Sequence, residues 1–232
     1  MLLEKELFME IREITVAAIA FRVVLSIFLG GAVGLERGLK NRPAGLRTYM
    51  LVCMGSCLIM MTNQYTIQIY GVGDPVRMGA QVVSGIGFLG AGTIVVTRRH
   101  QIKGLTTAAG LWASAGAGLA IGIGFYEAAI IGGGAIFLVL TALQSWDNRM
   151  HRNSKMIEVY LELEPAVSLG SFMSEVRKLD LEINNLQMDH DGSLDGENRS
   201  FVMTLKSPKK RNHQELFGII RKISGVAYLE EL

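Results

Sequence analysis

Residues 81–94 read QVVSGIGFLGAGTI, and this stretch decides the predicted fold. It is apolar enough to lie in a membrane, yet four of its fourteen residues are glycine, and it also carries the polar residues Gln81 and Ser84. Helices in lipid associate through close backbone contact, which small residues permit. The stretch therefore indicates a membrane helix that packs against other helices instead of facing lipid on all sides.

Composition divides the 232-residue chain into two parts. Half of the residues are hydrophobic and only 19% are charged, whereas globular chains contain about 25% charged residues. Of the 27 glycines, 22 precede residue 150, and the charges in that part form short clusters between apolar runs. We predict an amphipathic helix over residues 1–15, an α-helical membrane domain over residues 16–147, and a soluble domain over residues 155–232.

Five apolar segments have the roughly 20 residues that a membrane-spanning helix needs. These predicted spans cover residues 16–35, 48–66, 78–97, 105–124 and 126–145. The connectors after spans one and three, and the exit from span five, are rich in Lys and Arg, whereas the other two connectors are not. Because positively charged loops stay in the cytoplasm, we predict an N-terminus outside the cell membrane and a cytoplasmic C-terminal domain.

Small residues recur at helical spacing in the predicted spans, which is the pattern of close helix contacts. Tight packing alone explains most of these glycines. We predict helix-packing roles for Gly30, Gly34, Gly38, Gly85, Gly87, Gly90 and Gly92.

Ionisable residues in the first span are candidates for function. Arg22 lies about two turns inside it, where a charged side chain usually faces a partner. Asp74 and Glu127 are the candidate partners, and extension of the Arg22 side chain to the outer surface is the alternative.

The cytoplasmic end of the first span carries a second charged group. Glu36 lies beside Arg37, Arg42 and Arg47. An interfacial ion pair is one interpretation of this group, and a polar gate or a docking patch for a partner is the other.

Polar residues in and at the ends of spans three and four form another candidate set. Gln81 and Ser84 are three residues apart and so share a helix face. The set comprises Gln81, Ser84, Thr93, Thr106, Thr107 and Ser114.

Signatures of catalysis are missing from the sequence, which contains no Walker loop, GxSxG or HExxH motif. Ordinary small helix residues explain Cys53 and Cys57, and the four histidines lack metal-ligand spacing. The net charge of +2 without a continuous basic stripe argues against nucleic acid. We therefore expect no enzymatic activity and no cofactor, and the sequence identifies no metal ligands.

Three long blocks resemble the membrane domain of the MgtC/SapB family in order and spacing. They are GLERGLKNRPAGLRT (34–48), DPVRMGAQVVSGIGFLGAGTI (74–94) and KGLTTAAGLWASAGAGLAIG (103–122). By motif position, the family pattern falls on Glu36, Arg37, Ala44, Gly45, Leu46, Arg47, Asp74, Arg77, Gln81, Ser84, Gly85, Gly90, Gly92, Thr107 and Trp112.

The resemblance implies a multi-pass protein of the bacterial inner membrane that is linked to magnesium limitation. Relatives are thought to act as regulators, including of the F-type ATP synthase, so that synthase or a cation transporter is the implied partner. Virulence-associated relatives carry Asn where this chain has Thr106. A role that depends on that amide is therefore not transferred to this chain.

The C-terminal part has the pattern of a small α+β domain. Residues 156–164, 182–189, 199–206 and 226–231 are predicted strands, and residues 168–180 and 212–224 are predicted helices. The order βαββαβ is ferredoxin-like and resembles the ACT-type regulatory domain attached to many MgtC/SapB proteins. A small ligand at this domain is therefore a candidate partner, besides membrane lipid and a second copy of the chain.

Two function classes follow. The first is a non-enzymatic membrane regulator or adaptor in magnesium homeostasis. The alternative is a transporter of Mg²⁺ or another small solute. The predicted spans carry no carboxylate at mid-depth, although Mg²⁺ prefers oxygen ligands, and this favours the regulator.

Overall fold

The computed structural model describes residues 13–97, 101–143, 146, 156–189, 199–207 and 213–231. It divides the chain into two compact units. One unit comprises residues 1–95 and 102–144, and the other comprises residues 96–101 and 145–232. The predicted amphipathic helix at 1–15 and the turn at 191–198 lie outside the described residues, apart from Glu13, Ile14 and Thr15.

The first unit is helical. Its described elements are α1 (Val16–Leu39), α2 (Leu46–Tyr70), α3 (Arg77–Ala91), a hairpin of β1 (Val95–Val96) and β2 (Ile102–Lys103), α4 (Leu105–Gly122) and α5 (Tyr126–Leu138), which continues as a π-helical turn over Val139–Leu143. Local sequence sets several ends. The Thr15 hydroxyl caps α1 by accepting a hydrogen bond from the Ala18 N–H, and Gly71, at φ 67°, ends α2.

Four helices in the described part of the chain are long and apolar enough to cross a membrane. They are α1, α2, α4 and α5 with its π-helical turn. The predicted helix at 78–97 is wrong over its last six residues, because α3 ends at Ala91 and the chain becomes extended by Val95. Fifteen residues make a helix of about 22 Å, shorter than the roughly 30 Å hydrocarbon core. Glycines at 90 and 92 and the β-branched Val95 and Val96 favour this early end.

Helices α1, α2 and α4 pack almost backbone to backbone. A Cβ atom at Gly30 would lie 2.7 Å from the Tyr49 carbonyl oxygen, and one at Gly34 would lie 2.8 Å from the Leu46 Cα atom. On α4, a Cβ atom at Gly118 would overlap the Cys53 carbonyl group. In these helices, glycine is therefore required by the approach of a neighbouring backbone.

The other glycines with predicted packing roles are placed differently. Gly90 packs against Ala108, Gly38 makes only a loose contact with Leu46, and Gly92 lies against the last turn of its own helix. Among the described residues, nothing lies within 4 Å of a Cβ atom built at Gly85 or Gly87. The packing prediction is therefore wrong for these two glycines, which lie on the outer surface of α3.

The second unit has the predicted βαββαβ order. Strands β3 (Met156–Leu163), β4 (Glu182–Asp189), β5 (Arg199–Lys206) and β6 (Val226–Glu231) alternate with helices α6 (Leu169–Lys178) and α7 (His213–Ile220). The sheet order is β4-β5-β3-β6, and each neighbouring pair is antiparallel. Alternating apolar residues of β3 and β5 pack under both helices, which therefore cover the same face of the sheet.

Gly118→Ala is expected to destabilise the helical unit, because the new methyl group would overlap the α2 backbone. Overpacking of this kind costs about 1–3 kcal/mol. Gly116 lies two residues away on α4 and faces open space, so Gly116→Ala should change stability little. Thermal unfolding of both variants in detergent measures the difference, and equal unfolding temperatures would contradict this account of the packing.

Candidate functional site

Arg22 is fully buried among the helices and is surrounded by hydrogen-bond acceptors. Its Nε atom donates to the Tyr126 hydroxyl at 3.0 Å, and its Nη1 atom donates to Gln64 Oε1 at 2.8 Å and to the Gly122 carbonyl at 2.7 Å. The Tyr126 ring also lies 6.0 Å from the guanidinium carbon. Charge-assisted hydrogen bonds of this number hold a cation inside a helical unit.

This arrangement corrects two predictions about Arg22. Its burial contradicts the predicted alternative in which the side chain extends to the surface. Asp74 is not its partner among the described residues, since the Asp74 carboxylate accepts from the Val76 N–H and lies 3.9 Å from Arg77 Nε. Gln64 and Tyr126 supply acceptors much closer to the Arg22 guanidinium.

Arg37 is the second buried arginine of α1, fifteen residues or about 22 Å along the helix from Arg22. It is 1% exposed, and its Nη2 atom donates to Thr107 Oγ1 at 3.2 Å. The Tyr49 hydroxyl donates to the Thr107 carbonyl at 3.4 Å. The Arg37 Nε and Nη1 atoms are buried without a hydrogen-bond partner among the described residues. Among the described residues, Arg37 is therefore a buried cation that donates fewer hydrogen bonds than Arg22.

The predicted cytoplasmic patch of Glu36, Arg37, Arg42 and Arg47 does not form one surface. Arg37 points inward, whereas Arg42 and Arg47 are exposed. Glu36 forms an ion pair with Lys40, one turn later on α1, although neither carboxylate oxygen has a partner in hydrogen-bond geometry. Helical spacing separates these neighbours in sequence, because consecutive residues point about 100° apart.

The predicted polar face of spans three and four is likewise split. Gln81 and Ser84 on α3 are exposed, whereas Thr107 and Ser114 on α4 are buried. Ser114 Oγ has no hydrogen-bond partner among the described residues. The remaining candidates lie outside the group that Arg37, Tyr49 and Thr107 form.

Three of those remaining candidates have simple surroundings. The Thr93 hydroxyl donates to the Gly90 carbonyl at 2.8 Å, at the end of α3. Thr106 is exposed, and Trp112 is 56% exposed. None of these contacts assigns them a role in the buried sites.

A groove between α2 and α3 brings together other predicted residues. It has a volume of about 860 Å³, and Arg47, Arg77 and Gln81 are among its lining residues. The rest of its lining is mainly apolar. Neither Arg22 nor Arg37 is among the residues that line the groove.

Several residues of these sites were not predicted from the sequence. Tyr49, Gln64 and Tyr126 supply oxygen atoms inside the helical unit. The one available signal was their polarity within or beside apolar runs, which applies equally to the neighbouring Tyr65 and Gln68, both exposed. Only the helix packing distinguishes the two groups.

Arginine, tyrosine, threonine and glutamine side chains make the hydrogen bonds of the two buried arginine sites. Within the described ranges, no three His, Cys, Asp or Glu side chains lie close enough to hold a metal ion. Cys53 and Cys57 are both buried, free thiols in the core between the helices. In the described part of the helical unit, the guanidinium groups of Arg22 and Arg37 and the carboxylate oxygens of Glu36 are buried. Two positive charges and one negative charge are therefore enclosed.

Residues 23–149 match the MgtC family. The chain is 37% identical over 180 residues to "Putative magnesium transporter YhiD" of Escherichia coli, covering 75% of this chain and 83% of that protein. It is 29% identical over 223 residues to protein SapB of Bacillus subtilis, covering 90% and 92% of the two chains. Protein MgtC of Salmonella typhimurium is 40% identical over 108 residues, which covers 47% of this chain and 45% of that protein.

Replacement of each buried arginine by methionine should separate their structural contributions. Arg22→Met removes several hydrogen bonds and leaves buried acceptors unpaired, so we expect a loss of about 3–5 kcal/mol in unfolding free energy. Arg37→Met removes one recorded hydrogen bond of 3.2 Å and an unpaired buried cation, so its effect should be near zero or stabilising. Chemical unfolding in detergent measures both values. Equal losses would contradict the distinction between the two sites.

Proposed function

This chain belongs to the MgtC family, and on that premise we propose that it is a bacterial inner-membrane regulator of magnesium homeostasis. In this proposal the protein has no enzymatic activity and acts by contact with another membrane protein, either a cation transporter or the F-type ATP synthase. The proposal rests on family membership for the link to magnesium. It rests on the charges inside the helical unit for the choice of a regulator over a transporter.

The burial of two arginines is the observation that favours a regulator. In the described part of the helical unit, Arg22 and Arg37 are buried as whole residues. The Glu36 carboxylate, whose oxygens are also buried, forms an ion pair with Lys40. At about 8 Å from a fixed unit charge, a divalent cation is repelled by about 4 kcal/mol at an effective dielectric constant of about 20. A path for Mg²⁺ through these helices would meet this repulsion at two depths. Regulation through contact with another protein does not require Mg²⁺ to pass these charges.

Arg37 has a second role in this proposal. A guanidinium group that the fold satisfies only in part costs free energy to bury. Such a cost is typical of positions kept for function, and Arg37 lies on the family motif. We propose that Arg37 holds the α1–α4 contact in the arrangement that the partner recognises.

A transporter of Mg²⁺ or another small solute is the second candidate, and the name of the relative YhiD favours it. The exposed groups Asp74, Arg77 and Gln81 would then lie near the entrance of the path. The ion pair between Asp74 and Arg77, whose atoms are 3.9 Å apart, would have to open to admit a cation.

We further propose five membrane crossings, with the N-terminus outside and the C-terminal unit in the cytoplasm. Helix α3 provides about 22 Å, a turn follows at Gly92 and Thr93, and the extended Val95 and Val96 add about 7 Å. Together they suffice for the hydrocarbon core. Without this crossing, Arg98, Arg99 and Lys103 would lie outside the cell, against the usual distribution of positive charge.

For the C-terminal unit we propose an ACT-like role in sensing a small ligand. Both helices cover one face of its sheet, and the other face carries two Tyr–Glu hydrogen bonds. Tyr160 donates to Glu162 at 2.9 Å and Tyr228 donates to Glu230 at 2.7 Å. Glu162 is buried, whereas Tyr228 is exposed, so a ligand would meet this face of the sheet at Tyr228.

Reporter fusions test the five crossings. Fusions within residues 70–74 should report the outside of the membrane, and fusions at Lys103 and at residue 155 should report the cytoplasm. A fusion at residues 40–45 serves as the internal control for the cytoplasmic side. An outside signal at both Lys103 and residue 155 would show that α3 returns to its own side of the membrane.

Liposomes that contain only the purified protein separate the two function classes. We expect no Mg²⁺ flux above that of empty liposomes, because Arg22 and Arg37 are buried cations and the buried Glu36 carboxylate is paired with Lys40. Saturable flux that falls in Asp74→Ala and in Gln81→Ala would overturn the regulator proposal. Ser84→Ala, another exposed polar change on α3, is the matched control for surface effects.

Growth at low magnesium tests the regulator directly. A deletion strain that carries the Arg42→Glu or the Arg37→Met variant should fail to grow normally at low magnesium, although the variant protein remains inserted and folded. Lys103→Glu is the matched charge reversal on the predicted cytoplasmic side, and a strain that carries it should grow normally at low magnesium. Normal growth at low magnesium with Arg42→Glu and with Arg37→Met would contradict the proposal that these positions are needed for regulation.

A further inference from the structure

The groove between α2 and α3 has the shape of a site for one elongated apolar molecule. Leu51, Gly55 and Ile59 of α2 face Val82, Gly85 and Leu89 of α3 across it. Its volume of about 860 Å³ lies within the roughly 300–1,000 Å³ that is typical of ligand pockets. Leu51 and Leu89 are 61% and 52% exposed, so the groove opens toward the surroundings of the helices.

Gly85 and Gly55 create the space. A Cβ atom built on either residue meets no described atom within 4 Å. Glycine in these positions is not explained by a neighbouring helix, in contrast to Gly30, Gly34 and Gly118. Larger side chains at positions 55 and 85 would fill the groove without disturbing the fold.

Arg47 gives the groove a charged end. It lines the groove at the first turn of α2 and is exposed there. Among the described residues, no carboxylate lies within ion-pair distance of it. Arg77, at the other end, is partnered by Asp74. The groove therefore has one cation without a described counter-ion, at one end of an apolar channel.

The dimensions fit one leaflet of a bilayer. Twelve residues separate Arg47 from Ile59, which corresponds to about 18 Å along α2. Half of the hydrocarbon core is about 15 Å thick. A molecule with its anionic group at Arg47 would therefore extend its apolar part to about the middle of the membrane.

We propose that this groove binds an anionic glycerophospholipid, with its phosphate group at Arg47 and Thr48 and an acyl chain between α2 and α3. Basic residues beside grooves between membrane helices are a known mode of lipid recognition. The bound lipid would set the separation of α3 from α2, since the groove lies between these two helices. This inference holds for either of the two function classes.

Native mass spectrometry of the full chain in detergent tests the proposal, with phosphatidylglycerol and phosphatidylcholine of the same acyl chains as probes. Wild type should bind phosphatidylglycerol about fivefold more tightly, which corresponds to one Arg contact near a membrane surface. Arg47→Gln should abolish this preference and leave the binding of phosphatidylcholine unchanged. Arg42→Gln, the matched control outside the groove, should retain the preference.

The apolar part of the site is tested by filling it. Gly85→Leu should weaken the binding of both lipids, whereas Gly87→Leu, equally open but outside the groove lining, should bind like wild type. Gly55→Leu repeats the test from the α2 wall if Gly85→Leu does not fold. Equal binding by the position 85 and position 87 variants would overturn the proposal. So would wild-type dimers that Gly85→Leu disrupts without any lipid preference.

Discussion

Close contact between the backbones of α1, α2 and α4 is the constraint on which the rest of the helical unit depends. Gly30, Gly34 and Gly118 bring the three helices so near that a single methyl group would overlap a neighbouring backbone. The same helices enclose Arg22 and Arg37, whose hydrogen-bond partners lie on α2, α4 and α5. The two buried cations are therefore a consequence of the same contact that holds the helices together.

The sequence predicts the helices and strands well where a local pattern defines them. Apolar runs between basic connectors place α1, α2, α4 and α5, and the alternation in Met156–Leu163 places the central strand of the sheet. The end of α3 could not be predicted, because an apolar run reads alike as helix or as extended chain. The extended residues at Val95 and Val96 are set by pairing with Ile102 and Lys103.

The candidate site was harder to predict than the fold, for a physical reason. Arg37 contacts Thr107, which is seventy residues away, and no local pattern indicates which neighbours in sequence turn toward that partner. The motif 34–48 contains Arg37, but the direction of each of its side chains depends on how α1 rotates against α4. Gln64 and Tyr126 were missed for the same reason.

The partners of Arg22 have a consequence for biosynthesis. Gln64, Gly122 and Tyr126 are all made after α1, and the last two follow Arg22 by 100 residues or more. An arginine at mid-helix costs about 2.5–3.5 kcal/mol to insert into the bilayer. The nascent first helix must carry this cost until α4 and the start of α5 emerge from the ribosome and dock. A chain that ends before Gly122 therefore lacks two of the three acceptors of Arg22.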